Sequence, residues 1–546
     1  MRNTLFFVFP ILSVFLFILS LGTISTNSRL ADSFYNADSL FFPILYSEVF
    51  LRDGILGLYG FTDWCWTPSP YFFPDAFFYF VLRTVFLLRE VGAWEYTHLC
   101  YAFVQWTYLL LGILFLIRTL GIERKNRNAD SLFLGIGYLL GALCILEQSR
   151  IFLFLPGYHT GAWASLGWTW SFYYLWKRSQ KRIYFLACLL SAFALGLSDL
   201  FFLPAFLIPL IFAEGIAILF IKETWRARIR SFGKCLIPIL LAMIAVKLAY
   251  GLLDKNKVIL FPGLYASGRI AWKTVFGNPA LWWNGFYGAS VSVFIANRFE
   301  LIALVSTSAL YILIQKKSRA QISAVNRILP IILFSSLGMI VPLFLVFIPA
   351  INGHATQGSP PIDRYFGEMI LAALGSFAGL LGVSSNIKLY SRISSFLSSI
   401  LMVFVLYTVL PREKGVVYYP ESIACIDREI QAKDWRRGLA SFWESRPLRI
   451  FSRNKIAVDD YLEDMSLFYW QNSFRWFLSD RPYSFAIMNG IKKESFETHF
   501  GPASAVIHCG DWNVYEVGDP TGTKSAALNS LNRRKIDLWK ASVGKK

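Results

Sequence analysis

The sequence predicts an α-helical polytopic membrane protein with about 11 to 13 transmembrane helices and a small C-terminal α/β soluble domain. Hydrophobic residues make up 55% of the 546 residues and aromatic residues 17%, which is too apolar for a soluble helical protein. About ten apolar stretches, most near the length needed to cross a bilayer, occupy residues 4–411, after which the chain turns polar. Lipid cannot hydrogen-bond backbone groups, so these stretches must cross as helices.

The first apolar stretch, residues 4–22, could be mistaken for a secretory signal. It is longer than a usual signal core, and Leu19-Ser20-Leu21-Gly22 is a poor cleavage site, so we interpret it as a retained span with a cytoplasmic N-terminus. Short connectors rich in Lys and Arg also stay cytoplasmic. They lie near residues 118–130, 177–182, 222–234, 316–327 and 388–392. The net charge of +18 is therefore mostly a topology signal, and no basic face suits nucleic acid.

The later spans alternate cleanly, and the last one places the C-terminal domain outside. Residues 254–298 are predicted to form a long outer loop, which can carry basic residues without breaking the charge rule. The predicted spans are residues 131–149, 160–176, 183–202, 203–221, 235–253, 299–315, 328–350, 364–384 and 392–411.

The segment 72–88 decides the number of crossings. An even number must precede the cytoplasmic connector at 118–130, yet 4–22, 72–88 and 97–117 make three. Either 72–88 lies along or dips into the outer face, giving about 11 spans, or a further crossing exists, giving about 13. Proline residues at its start and Arg83 in its middle favour the first alternative.

The first outer loop, residues 23–70, is crowded with carboxylates and aromatic residues. Its segment 36–53 is predicted to be an amphipathic helix at the membrane surface, with Phe41 and Leu45 on the apolar face and Glu48 elsewhere. Asp38 opens this segment. It is either a helix N-cap, the commonest use of Asp before an apolar periodic run, or a functional carboxylate.

Three more polar residues interrupt apolar sequence on the same predicted side. Asp75 ends the proline-aromatic segment 69–75, where it is either a solvated boundary residue or part of a site. His159 precedes one span, and Asp199 lies at the turn between two others. Either His159 and Asp199 line a common pocket, or His159 caps a helix while Asp199 bonds a backbone group of its turn.

A late outer loop ends in Arg364 at the start of a predicted span. Its guanidinium would suit a phosphate at the outer surface, or it is an anchor at the membrane surface paired with Asp363. The sequence contains no HExxH zinc motif, no GxxxxGK[ST] loop and no GxSxG elbow.

Residues 412–517 are predicted to form the small α/β domain. We expect helices at 422–433 and 438–443, short strands at 447–451 and 486–488, and a hairpin within 505–517. The basic tail, residues 518–546, is predicted to be disordered.

Two cysteines of this domain, Cys425 and Cys509, are disulfide candidates because the predicted orientation places them in an oxidising compartment. Several aromatic residues of the domain either stack on sugar rings or form its core. They are Trp435, Trp443, Tyr469, Trp470, Trp476 and Trp512.

With these residues the chain resembles the GT-C superfamily of integral membrane glycosyltransferases, which use polyprenyl-phosphate-linked sugars. Asp38 matches the early acidic residue of the first outer loop, residues 69–75 match the proline-aromatic segment, and residues 363–366 match a late Arg-Tyr step. The resemblance extends over the layout of the whole membrane region, although each motif is short.

The resemblance implies inverting hexosyl transfer from a polyprenyl-phosphate sugar to a lipid, glycan or protein acceptor at the outer face. Asp38 would be the catalytic base, and the donor phosphate would bind Arg364. The remaining candidates for substrate binding are Glu48, Asp75, His159 and Asp199.

The chain departs from many GT-C members, which carry an Asp-Glu pair where Ser39 follows Asp38 here. A second acid would have to come from Glu48, Asp53 or Asp75. A divalent cation, Mg²⁺ or Mn²⁺, therefore remains an open expectation.

A more local similarity, carried by segments such as Cys425-Ile426-Asp427 and Tyr469-Trp470-Gln471-Asn472, links the domain to uncharacterised bacterial membrane proteins. It implies the bacterial inner membrane with a periplasmic domain, and membrane lipids as partners. Two alternatives stay open: a transporter or flippase of lipid-linked saccharides, and a non-catalytic subunit of envelope assembly.

Overall fold

The structure is a computed structural model that describes residues 2–51, 64–67, 69–88, 93–121, 127–220, 225–255, 279–317, 324–351, 367–384 and 418–542. Helices dominate up to residue 384, and a five-stranded sheet forms after residue 418. The predicted site residue Arg364 and the predicted span 392–411 lie outside the described residues.

The helices of the first region are joined by short connections and by π-helical or 3₁₀ turns such as Ser336–Ile340 and Gln148–Phe154. They are α1 (Arg2–Ile24), α2 (Ser28–Phe34), α3 (Phe41–Tyr46), α4 (Phe77–Leu88), α5 (Trp94–Thr119), α6 (Arg127–Leu146), α7 (Thr160–Ala164), α8 (Leu166–Ser179), α9 (Arg182–Ser198), α10 (Phe202–Phe220), α11 (Trp225–Lys255), α12 (Pro279–Ala296), α13 (Arg298–Lys317), α14 (Ala324–Ser335), α15 (Val341–Ile351) and α16 (Glu368–Ser384).

Three helices of the described residues are long and apolar enough to cross a membrane: Trp94–Thr119, Ala129–Leu146 and Leu329–Phe347. Two bent pairs raise the number to five if each pair is one span: α1 with α2, at 94°, and α12 with α13, at 75°. By length and composition the helical region thus offers three to five crossings, fewer than the 11 to 13 that the hydropathy pattern predicts. Four shorter apolar helices lie within α9, α10, α11 and α16.

Two predictions about individual segments can be compared directly with the helices. Residues 279–296, predicted to belong to a long outer loop, instead form α12, because their apolar run is continuous enough for a helix. The segment 72–88 contains the 12-residue helix α4 after a π-helical turn. Twelve residues span about 18 Å, well short of a bilayer core.

Packing in the helical region depends on small residues and on ion pairs. At Gly141 of α6 a Cβ atom would collide with the rings of Trp106 and Phe17. Only glycine at this position lets α1 and α5 pack against α6. Arg150 bonds the side chains of Glu300 at 2.8 Å and Asn297 at 2.9 Å. This pairing fixes the bend between α12 and α13, because a buried guanidinium needs its partners.

The C-terminal domain has a mixed sheet in the order β2-β1-β3-β5-β4, in which β1 is parallel to β2 and β3. The hairpin β4–β5 turns at Gly510, whose φ of +59° favours glycine. The elements are α17 (Glu421–Lys433), β1 (Arg437–Ala440), α18 (Phe442–Phe451), β2 (Ala457–Asp460), β3 (Phe485–Ile487), α19 (Lys493–Phe500), β4 (Ala505–Cys509), β5 (Trp512–Glu516) and α20 (Thr523–Ser542).

The predicted helix 422–433, the strand 486–488 and the hairpin agree with α17, β3 and β4–β5. Two neighbouring predictions were wrong: residues 437–440 form a strand at the start of the predicted helix 438–443, and residues 442–451 form a helix that includes the predicted strand 447–451. Both predicted segments are only five or six residues long, which is too short for periodicity to distinguish a helix from a strand.

The basic tail is also not disordered: residues 523–542 form α20, contrary to the prediction. Leu528 and Ile536 are buried, and Trp539 stacks on Tyr469 with ring centroids 5.7 Å apart. The carboxylate of Asp519 accepts hydrogen bonds from the amides of Lys524 and Ser525 at the start of the helix. Residues 518–542 of the tail are therefore part of the folded domain.

Buried ion pairs organise the interior of the domain. Arg437 contacts Asp459 at 2.6 Å, and Arg446 contacts Asp460 at 3.2 Å. Burial lowers the pKa of the Arg446 guanidinium and raises the pKa of the Asp460 carboxyl, so each charge depends on its partner.

The domain docks on the first loop of the helical region. The amide of Cys65 donates to the Asn472 carbonyl at 2.7 Å, and Trp64 forms an antiparallel bridge with Ser473. The described parts of the first loop therefore pack against the C-terminal domain.

Removing residues 523–546 is expected to destabilise the domain by about 3 kcal/mol or more, because the truncation exposes the side chains that pack against α20. The measurement is thermal unfolding of the purified protein in detergent, followed by tryptophan fluorescence. Deletion of residues 543–546 alone is the control and should leave the midpoint unchanged. Equal midpoints for both deletions would mean that α20 does not stabilise the fold.

Candidate functional site

Three of the predicted site residues form one buried polar cluster, referred to below as the polar cluster: Asp75, His159 and Asp199. The Nδ1 atom of His159 lies 2.7 Å from Asp199 Oδ2, and its Nε2 atom lies 3.3 Å from the Tyr71 hydroxyl. Ser69 donates to Asp199 Oδ1 at 3.0 Å, and Asp75 interacts electrostatically with Asp199. All five side chains are buried, with at most 7% of each exposed.

The turn after α9 holds one side of the polar cluster. Asp199 ends the helix, and its Oδ1 atom accepts the amide of Phe201 at 3.0 Å, which starts the next turn of chain. The amide of Tyr71 donates to the Ser198 carbonyl, and that of Phe73 donates to the Ser198 hydroxyl, both at 2.9 Å. The proline-aromatic segment is thereby fixed against this turn.

His159 and Asp75 are placed by α7 and by the turn before α4. His159 precedes α7 with a left-handed φ of 66°, and its side chain does not cap that helix. The Tyr101 hydroxyl donates to Asp75 at 2.5 Å. Gly161 lies directly beneath the Asp75 carboxylate, where a Cβ atom would collide with it. His159 and Asp199 are in direct contact, and Asp199 also bonds a backbone amide of its own turn, which was the alternative expectation for that residue.

The predicted catalytic residue, Asp38, lies outside the polar cluster on a turn before α3. It is not the helix N-cap, since Leu40 occupies that position without a side-chain cap bond. Asn36 fixes the turn by accepting the Ser39 amide at 3.0 Å. The Asp38 side chain is half-buried and interacts electrostatically with Arg446 on α18 of the domain.

Glu48 also faces the domain, where its carboxylate lies 3.3 Å from Arg449 of α18. The segment around it is not a surface helix as predicted, because α3 is buried along its whole length. A helix held between the helical region and the domain cannot lie on a lipid surface. The two loop carboxylates thus meet two arginines of one helix, Arg446 and Arg449.

Sequence reasoning missed a polar stripe on α5. Glu95, His98, Tyr101 and Gln105 recur every three or four residues and are all buried, so they share one face of the helix. His98 bridges the Ser39 carbonyl, at 3.2 Å, and the Tyr79 hydroxyl, at 2.7 Å. Their helical spacing within an apolar segment was the signal that could have found them.

Glu368, at the start of α16, was also missed. It is completely buried, and neither of its carboxylate oxygens has a hydrogen-bond partner among the described residues. A buried carboxyl of this kind is costly, which makes it notable in an apolar helix.

The part of the chain that the structure describes contains no group of three His, Cys, Asp or Glu side chains arranged to hold a metal ion. Within the polar cluster, Asp75 and Asp199 are engaged by Tyr101, Ser69 and His159. These contacts do not favour a cation at the polar cluster.

No protein-family model matches the chain, and no curated protein is significantly similar to it in sequence. Its function must therefore be inferred from its own residues.

The substitution Gly161→Ala is expected to lower stability by about 1–3 kcal/mol, because the added methyl group displaces the Asp75 carboxylate from its Tyr101 bond. The measurement is the thermal midpoint of the purified protein. Gly251→Ala, at a helical glycine with no atom within 4 Å of the new Cβ, is the matched control and should be neutral or stabilising. A midpoint for Gly161→Ala equal to that of the control would contradict the packing.

Proposed function

We propose that the protein is a polytopic membrane glycosyltransferase of the GT-C type. It transfers a sugar from a polyprenyl-phosphate donor to a lipid, glycan or protein acceptor on the periplasmic side of a bacterial inner membrane. The 11 to 13 crossings predicted from hydropathy are part of this proposal. The described residues offer up to five long spans, with the bent pairs counted, and four shorter apolar helices, while the predicted span 392–411 lies outside the described residues.

The observation that carries the proposal is the placement of Asp38. Its carboxylate is half-buried, serves no helix cap and sits on a turn that Asn36 fixes, beside Arg446 of the domain. A general base needs both access to its substrate and a fixed position. Asp75 and Asp199 are buried and fully engaged, so they suit the role of holding the loops in place.

The proposed reaction needs a base for the acceptor hydroxyl and a positive charge for the leaving phosphate. Asp38 would take the proton of the acceptor hydroxyl as that oxygen attacks the anomeric carbon and the bond to the donor phosphate breaks. The developing charge on the leaving phosphate needs cations, which Arg364 is proposed to supply. A divalent ion, Mg²⁺ or Mn²⁺, would serve the same purpose, but its ligands are unassigned.

Replacing Asp38 with Asn is expected to reduce sugar transfer at least about 100-fold, since the amide cannot accept the proton. Mass spectrometry of lipids and glycans would compare cells that produce wild type, no protein or Asp38→Asn at equal expression. The variant should match the deletion, losing one glycan and accumulating a polyprenyl-phosphate sugar. Glu147→Gln, an exposed carboxylate outside the first loop and its neighbouring cleft, is the control. Wild-type glycans in Asp38→Asn cells would exclude Asp38 as the base.

A second candidate function, translocation of a lipid-linked saccharide, is favoured by one observation: the completely buried Glu368 without a partner among the described residues. Transporters commonly use such charges within the membrane.

Proteoliposomes that contain a fluorescent polyprenyl-phosphate sugar test this alternative through quenching by a membrane-impermeant reductant. If the protein is a transferase, we expect no more translocation than in protein-free liposomes. We also expect Glu368→Gln to transfer sugar like the wild type. Translocation by the wild type that is lost in Glu368→Gln but kept in Asp38→Asn would establish the transporter instead.

A further inference from the structure

A cleft of about 370 Å³ opens where the first loop meets the C-terminal domain. It is separate from the polar cluster. Its walls come from four parts of the chain: residues 32–37, residues 418–423, the first turns of α18 and the β4–β5 turn. This volume lies in the range of small-ligand sites, which run from about 300 to 1,000 Å³.

Two tryptophans line this cleft. Trp443 is 58% exposed, although a side chain of this size is normally covered, and Trp512 is half-buried. Other tryptophans of the domain pack in its core: Trp435 stacks on Phe485 and Trp476 is buried. The exposure of Trp443 therefore reflects its position and not a general looseness of the domain.

The polar lining is acidic. Asp32, Glu421 and Asp511 contribute carboxylates, and none of the described lining residues is Lys, Arg or His. Asp32 accepts the Tyr418 hydroxyl at 2.8 Å, and Glu421 pairs with Arg428 at 2.6 Å. Such a lining accepts hydrogen bonds from hydroxyl or ammonium groups and repels phosphate or carboxylate.

The walls of the cleft are held together covalently. The Cys425–Cys509 disulfide, a candidate from the sequence, is formed in the structure and joins α17 to the end of β4. Both elements border the cleft, through Ser422 and Ile423 on one side and Gly510 on the other. A site with fixed walls binds with a smaller loss of entropy.

We propose that this cleft is a saccharide-binding site for a neutral or amino-bearing glycan segment. Aromatic faces on a rigid frame cover the apolar faces of sugar rings, and the carboxylates take their hydroxyl or ammonium groups. Ala37 lines the cleft and Asp38 follows it, so the bound glycan would lie beside the proposed base. Only this position beside the proposed base rests on the proposed function, because glycan binding at the cleft does not require sugar transfer.

The test uses the full chain in lipid nanodiscs and three probes: chitotetraose, its de-acetylated amino form, and glucose 1-phosphate. Saturation-transfer NMR measures which probes bind, and titration gives their dissociation constants. We expect one or both tetrasaccharides to bind and glucose 1-phosphate not to bind. Absence of binding by both tetrasaccharides, or a preference for the phosphate, would overturn the proposal.

Variants locate the binding. Trp443→Ala should weaken it at least about tenfold, whereas Trp443→Phe retains most of it. Asp511→Asn should weaken the amino probe more than the neutral one. Trp283→Ala, a tryptophan of similar exposure outside the cleft, is the control and should bind as wild type.

Two further measurements make the result decisive. Thermal unfolding of Trp443→Ala checks its fold, and a folded variant that binds like wild type overturns the proposal. Brominated lipids report whether Trp443 is inserted in the bilayer. Because the chain has 18 tryptophans, quenching of the wild type is compared with quenching of Trp443→Ala, and a clear loss of quenching in the variant identifies a membrane anchor and also overturns the proposal. We expect Asp38→Asn to bind the tetrasaccharides like wild type while losing sugar transfer. Failure of the proposed function and failure of this binding site are therefore distinguishable.

Discussion

The docking of the first loop on the C-terminal domain is the constraint on which the rest depends. Backbone pairing of residues 64–65 with 472–473 joins the two, and the Glu48–Arg449 ion pair closes the contact. Tyr418 adds bonds to Glu95 and Asp32. Because backbone groups buried at such a junction must be paired, the loop has little freedom once docked. The turn of Asp38 and the cleft lined by Trp443 both depend on this docking for their positions.

Buried polarity is the second organising feature. Each polar atom withdrawn from water needs a partner, and the polar cluster meets this need through bonds between the turn at 198–199, the proline-aromatic segment and α7. The stripe on α5 extends the same arrangement, since Tyr101 reaches Asp75 and His98 reaches Ser39. Among the buried carboxylates of the described residues, Glu368 is distinct because neither of its oxygens has a partner, and that makes it the strongest argument for a role in translocation.

Part of this structure was predictable because it is encoded locally. Helix α17 follows a proline and ends at Asp434 in the left-handed region, and the β4–β5 hairpin turns at a glycine with positive φ. Over residues 437–451, where the predicted helix and strand were wrong, the local sequence is not enough to specify the secondary structure. There β1 is a strand because β2 and β3 pair with it on both sides, and those partners are 20 and 47 residues away along the chain.

By itself, the sequence determined the change from apolar to polar composition near residue 411, the helical character of the first region, a small α/β domain after it, and the polar residues worth considering. Tertiary structure alone decided that Asp75, His159 and Asp199 share one cluster while Asp38 faces Arg446, and that the basic tail folds as α20. The physical reason is range: periodicity and turn residues act over a few positions, whereas these groupings depend on contacts between residues tens to hundreds of positions apart.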